Sequence, residues 1–149
     1  MNIALSKQNF SEYNIIFGNK SDNNIINDSY FYTIHYSDCN VYLNHIVYEI
    51  DICESSIEPY YNKLKCSYTI DSNKERLQEL VHLERTILGL FTSKLKPSFK
   101  IHEQLKKAFV KLTNDTNASE NENNYKLYIK ISGIWETETE YGIIYKFFI

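Results

Sequence analysis

The C-terminal stretch KLYIKISGIWETETEYGIIYKFFI (residues 126–149) sets Lys126, Tyr128, Lys130 and Ser132 at alternate positions, with Leu127, Ile129 and Ile131 between them. Alternate side chains of a strand share a face. One face therefore carries cations and a ring, and the other carries aliphatic core residues. On the return stretch Ile144, Lys146 and Phe148 alternate with Ile143, Tyr145, Phe147 and Ile149. Residues 60–70 repeat the pattern, with Lys63, Lys65, Ser67 and Thr69 set against Leu64, Cys66, Tyr68 and Ile70. This mixture suits binding of single-stranded nucleic acid: ammonium groups follow the phosphates and rings stack on bases of any sequence, at roughly 1–3 kcal/mol per base. The residues alone leave a second meaning open, a solvated sheet face whose lysines guard its edges.

Residues 94–111, KLKPSFKIHEQLKKAFVK, bring Lys94, Lys96, Lys100, Lys106, Lys107 and Lys111 together against Glu103 alone, a local charge of +5. The whole chain carries −3, so the remainder holds −8, much of it in expected loops. Such a cluster is either a phosphate-contacting patch, which binds by releasing counterions, or a solvated helix face. Phe31 and His35 share a face of the alternating stretch 30–37 and are candidate stacking residues. Trp135, the only tryptophan, is either a core cap or a further platform.

Other chemistries find little support. His35, Cys39 and His45, with Cys53 or Cys66, match no zinc spacing. The three cysteines are odd in number and form no C-x-x-C pair, which fits reduced thiols acting as small buried hydrophobes. Glu136, Glu138 and Glu140 read as a solvated hairpin tip rather than a cation site. The chain has no P-loop, Rossmann, H-E-x-x-H or G-x-S-x-G motif, so no enzyme, metal or cofactor is expected.

The elements that must position these residues follow from hydrophobic period. Strands are expected at 11–17, 30–37, 41–52 and 60–70, with a break at ESSIEP and a loop through GNKSDNNIINDS. Residues 77–91 have helical spacing, opened by an S-x-x-E capping box at Ser72 and Glu75 and closed before Pro97. Residues 100–113 read as a short helix that runs into a strand near Phe109. A mobile loop is expected at 114–124, and strands at 126–134 and 141–148 form the last hairpin. At 149 residues the chain suits one domain. The expected fold is mainly β with helix, an OB-like barrel of five or more antiparallel strands and one long helix between strands three and four. A ferredoxin-like or other α+β sandwich is the structural alternative. Neither a signal peptide nor a membrane span is expected, since the first residues lack a basic-then-apolar pattern and no apolar run approaches the length of a span.

The segments NIIFGNK, YFYTIHYSDCNVYLNHIVYEI, LVHLERTILGLF, KIHEQLKKAFVKL and KLYIKISGIWETETEYGIIYKF, in that order, resemble OB-fold single-stranded-DNA-binding-like proteins of nucleocytoplasmic large DNA viruses. The most suggestive piece is IKISGIWETETEYGIIYKF, and the likeness covers residues 14–149 as a pattern. The chain departs from the group in being short and net acidic. The resemblance implies a non-enzymatic single-strand binder in viral replication, repair or packaging, located in infected-cell cytoplasm, a viral factory or the virion. Its implied partners are single-stranded nucleic acid, DNA above all, and further copies of itself or other viral proteins, with no membrane. The alternative on the same barrel is a protein-interaction or virion structural module, with exposed Tyr and Phe as its anchors.

Overall fold

The structure is a computed structural model that describes residues 3–22, 28–113 and 124–149. The expected loop at 114–124 lies, apart from Asn124, outside the described residues. The elements in chain order are β1 (Ala4–Leu5), a 3-10 turn (Glu12–Asn14), β2 (Ile15–Asp22), β3 (Tyr30–Ser37), β4 (Tyr42–Leu43), β5 (Ile46–Ile52), β6 (Ser55–Tyr60) and β7 (Lys63–Tyr68). A second 3-10 turn (Asp71–Asn73) leads into α1 (Lys74–Leu90), followed by β8 (Lys96–Pro97), α2 (Lys100–Leu105), β9 (Phe109–Leu112), β10 (Tyr125–Glu136) and β11 (Glu140–Phe148).

The eleven strands form one sheet, curled into a half-barrel, whose main path runs β1-β5-β10-β11-β9-β7-β6. The long strand β10 sits at its centre. β11 pairs with it along most of its length, while its other side is shared: β5 pairs with Tyr125 to Ile131, and β3 takes over from Gly133 to Glu136. The β10–β11 register shifts between Ile131 and Gly133, a bulge that lets one strand serve both neighbours. β2 and β4 pair with β3, and β8 pairs with β11.

The long helix follows the seventh strand, not the third, and the sheet is mixed rather than purely antiparallel. β1–β5, β8–β11 and β9–β11 are parallel pairs. The expected OB order is corrected on both points. Three further expectations change. β2 continues through Gly18 to Asp22, because pairing with β3 holds a polar segment extended. ESSIEP does not end a strand but forms most of β6; Pro59 is tolerated because β6 pairs with β7 on one side only. The 41–52 strand is split into β4 and β5.

The core lies between the sheet and the two helices. Leu77, Leu80, Val81, Leu83, Ile87 and Leu88 of α1 are buried in one cluster with Ile50 and Ile52 of β5, Ile129 and Ile131 of β10, and Ile143 and Phe147 of β11. Burial of each such side chain contributes about 1.5–3 kcal/mol. The capping box at the start of α1 does not form. The Ser72 hydroxyl donates to Glu54 Oε2 at 2.6 Å, and Asn73 takes the cap position of the helix. The Asn73 side chain instead accepts from the Cys53 N–H at 2.9 Å and donates to the Cys53 and Thr69 carbonyls at 2.8 Å. Contacts from the end of β5 thus replace the local cap. Glu84 of α1, fully buried, accepts the backbone N–H groups of Ile101 at 2.8 Å and His102 at 3.0 Å, which locks α2 onto α1.

Candidate functional site

The core alternation of β10 leaves Lys126, Tyr128 and Lys130 on the sheet face turned away from the helices. The ladder to β11 sets Phe148 opposite Tyr128 and Lys146 opposite Lys130. The Tyr128 and Phe148 rings stack, with centroids 5.1 Å apart and planes 14° from parallel. A flat two-ring platform therefore sits among three ammonium groups. Lys126 is shared with Glu49 of β5, whose Oε1 is 4.0 Å from its Nζ.

The same face continues beyond β11. β9 brings Lys111 and Phe109, and β7 brings Lys63, Lys65 and Ser67, with Lys65 directly opposite Lys111. Lys65 reaches Glu58 of β6 at 3.8 Å and lies 5.2 Å from the Phe109 ring centroid. Of the six lysines between 94 and 111, only Lys111 joins this face. Lys96 lies beside the start of β11 and Lys94 precedes β8, Lys100 opens α2 and pairs with Glu103 at 3.6 Å, and Lys106 and Lys107 occupy the turn after α2. The chain changes element three times across this stretch, so neighbours in sequence do not become neighbours on one surface.

Phe31 and Trp135 lie at the far end of the face, whereas His35 lies on β3 beyond the residues that pair with β10. Trp135 pairs with Phe31 on one side and Gly142 on the other. Its ring covers Gly142, where an added Cβ would stand 2.5 Å from Trp135 Cζ2. The residue is half-buried and is not a core cap. Seven residues of strand, about 23 Å, separate it from Tyr128. His35 stacks on exposed Tyr42 with centroids 5.6 Å apart, and its Nε2 lies 3.0 Å from Thr33 Oγ1, while its buried Nδ1 has no hydrogen-bond partner. His45, near the fork where β3 replaces β5, has its pKa lowered by burial, with the Lys130 charge adding to the effect.

No protein-family model matches the chain, and no match was found among curated proteins or solved structures.

The described residues contain no group of His, Cys, Asp and Glu able to hold a metal ion, and no helix long and apolar enough to cross a membrane. Of the cysteines only Cys66 is buried; Cys39 is exposed and Cys53 intermediate, so the expectation of three buried thiols holds for one. Glu136 is not a free hairpin-tip acid, since it accepts from the Tyr32 hydroxyl at 3.4 Å. Three rings on the β9–β7–β6 side of the sheet escape the sequence reading: Tyr60, Tyr61 and Phe109. The signal that could have found them is the parity of Phe109 with Lys111, and of Tyr60 with Glu58, once those segments are taken as strands.

A cleft of about 1040 Å³ opens beside Lys126 and Tyr128, bounded by Asp51, Asp71, Arg76 and Ile149. Its walls mix both signs of charge, and of the stacked pair it is lined by Tyr128 alone.

Proposed function

We propose that the protein binds single-stranded nucleic acid, DNA in preference, through the sheet face opposite the helices, without sequence reading and without catalysis. The observation that carries this is the Tyr128–Phe148 stack set among Lys126, Lys130 and Lys146. Stacked rings offer a plane on which a base adds, and the lysines stand where phosphates on either side of that base would run. Lys130 and Lys146 face each other with no acid between them in the ladder, an arrangement that a polyanion would relieve. The resemblance to viral single-strand binders supports the same function and suggests a place in genome replication, repair or packaging.

A protein-interaction module is the second possibility, favoured by the exposure of Tyr13, Tyr42 and Tyr61. Salt separates the two. Fluorescence anisotropy of labelled oligo-dT should show binding that weakens with a log–log slope of about −2 if three phosphates are neutralised. Duplex DNA of equal length should bind more weakly, and Lys126→Glu/Lys130→Glu should abolish binding. Absence of oligo-dT binding at low salt would refute the proposal and turn attention to protein partners.

A further inference from the structure

We infer that the bound polynucleotide crosses the strands rather than following them, running from the Tyr128–Phe148 pair over β11, β9 and β7 to a second stacking station made by Tyr60, Tyr61 and Phe109. This inference rests on the function proposed above. The second station is a built cluster. Tyr60 and Phe109 have ring centroids 5.7 Å apart, and Tyr61 meets Tyr60 edge-on at 4.9 Å. Lys65 Nζ lies 5.4 Å and Lys111 Nζ 5.3 Å from the Tyr60 centroid. Rings and cations are combined here as they are at the first station.

Tyr61 is the most informative member. It stands in the two-residue turn between β6 and β7 with φ of +55°, in the left-handed region where glycine is the default and a bulky side chain is strained. The residue is 91% exposed, so no burial offsets that strain. Among the described residues, the edge-on contact with Tyr60 is the one ring contact that offsets the strain, and it leaves most of the Tyr61 ring held out where a base can meet it.

The direction of travel follows from charge. On the β5 side, Glu49 stands opposite Tyr128 and Asp51 opposite Lys126, and these acids repel a phosphate chain. On the other side each successive strand offers a cation: Lys146 on β11, Lys111 on β9, then Lys65 and Lys63 on β7. Lys65 and Lys111 form a second directly opposed like-charge pair, relieved in part by Glu58. Three ladders separate β11 from β6, about 14 Å at the usual strand spacing. Bases stacked about 3.4 Å apart cover that gap with about four nucleotides. Occupying both stations therefore takes about six nucleotides.

The test is anisotropy of labelled dT3, dT6, dT9 and dT12 with the full chain, beside Tyr61→Gly and Phe109→Leu, with thermal melts of each variant. Affinity should rise steeply between dT3 and dT9 and then level off. Tyr61→Gly should lower dT9 affinity about fivefold or more while the melting temperature holds or rises, because glycine relieves the turn. Phe109→Leu keeps an apolar side chain at the ladder and should weaken dT9 similarly. Wild-type binding of dT9 that both variants match would overturn the second station and leave the proposed function standing. No binding of any oligonucleotide by the wild type would overturn both.

Discussion

Lys130 of β10 and Lys146 of β11 stand directly opposite one another across an antiparallel ladder, on the face that carries the stacked Tyr128 and Phe148 rings. Like charges in such a pair destabilise a sheet by roughly 0.2–1 kcal/mol. Lys146→Glu replaces repulsion with attraction. It should raise stability in urea melts by about 0.5 kcal/mol at low salt, with the gain shrinking as salt screens it. The same change should weaken oligo-dT binding and reduce the magnitude of its salt slope by about 0.7, the share of one neutralised phosphate. A stabilised variant that binds as well as the wild type would show that the pair does not serve an anionic ligand.

Trp135 rests on Gly142, and the chain has no other tryptophan, so its emission reports the surroundings of this one ring. In Gly142→Ala the new Cβ would come within 2.5 Å of Cζ2 and 2.7 Å of Cε2, so the ring must swing outward. The expected cost is about 1–3 kcal/mol. Emission should shift to longer wavelength as the ring meets water. An unchanged spectrum and an unchanged urea midpoint together would mean that the ring does not sit across the glycine.

Local pattern carries the strands of the candidate face but not their neighbours. The alternation of Leu64, Cys66 and Tyr68, and of Leu127, Ile129 and Ile131, is a one-strand property, and both segments are strands with those residues turned to the core, Leu64 half-buried and the others fully buried. The helical spacing of Leu77 to Leu88 and the switch from helix to strand near Phe109 are legible for the same reason. Which strands lie side by side depends on pairings between distant segments, such as Phe147 with Leu112 or Ala4 with Val47, and these leave no local trace. An OB order rests on the succession of elements alone and so misplaces the helix. The basic run 94–111 misleads in the opposite way, because lysines close in sequence are carried to different surfaces by the turns between them. Ser72 and Glu75 match a cap motif, yet Glu54, eighteen residues before Ser72, captures the serine hydroxyl.

The cysteines should differ sharply in reactivity. Cys39 is exposed, whereas Cys66 is fully buried and burial pushes its thiol up to about 11. Only the thiolate reacts at an appreciable rate. Brief alkylation of the folded protein at about pH 8, near the pKa of a free thiol, should label Cys39 and spare Cys66 in peptide mass spectrometry. Labelling of Cys66 should require urea and follow the unfolding curve. Rapid labelling of Cys66 without denaturant would show that β7 and β9 open readily around it.

Glu84 links the two helices and sets a pH dependence. Burial raises its pKa above the ordinary carboxylate range, although the hydrogen bonds from His102 and Ile101 pull the other way. A carboxyl whose folded pKa lies above its unfolded value binds its proton more tightly when folded. Its contribution therefore falls as pH rises from the unfolded pKa through the folded one, and it is most favourable below both. Glutamine has a similar size and does not titrate. The stability difference between wild type and Glu84→Gln should thus move in favour of the wild type as pH is lowered from about 7 toward about 4, read from urea melts at matched ionic strength. Glu84→Ala leaves the Ile101 and His102 N–H groups without their acceptor and should cost about 1–3 kcal/mol at neutral pH. A wild-type-to-glutamine difference that stayed flat with pH, or moved against the wild type as pH fell, would mean that the folded protein does not hold this carboxyl above its ordinary range.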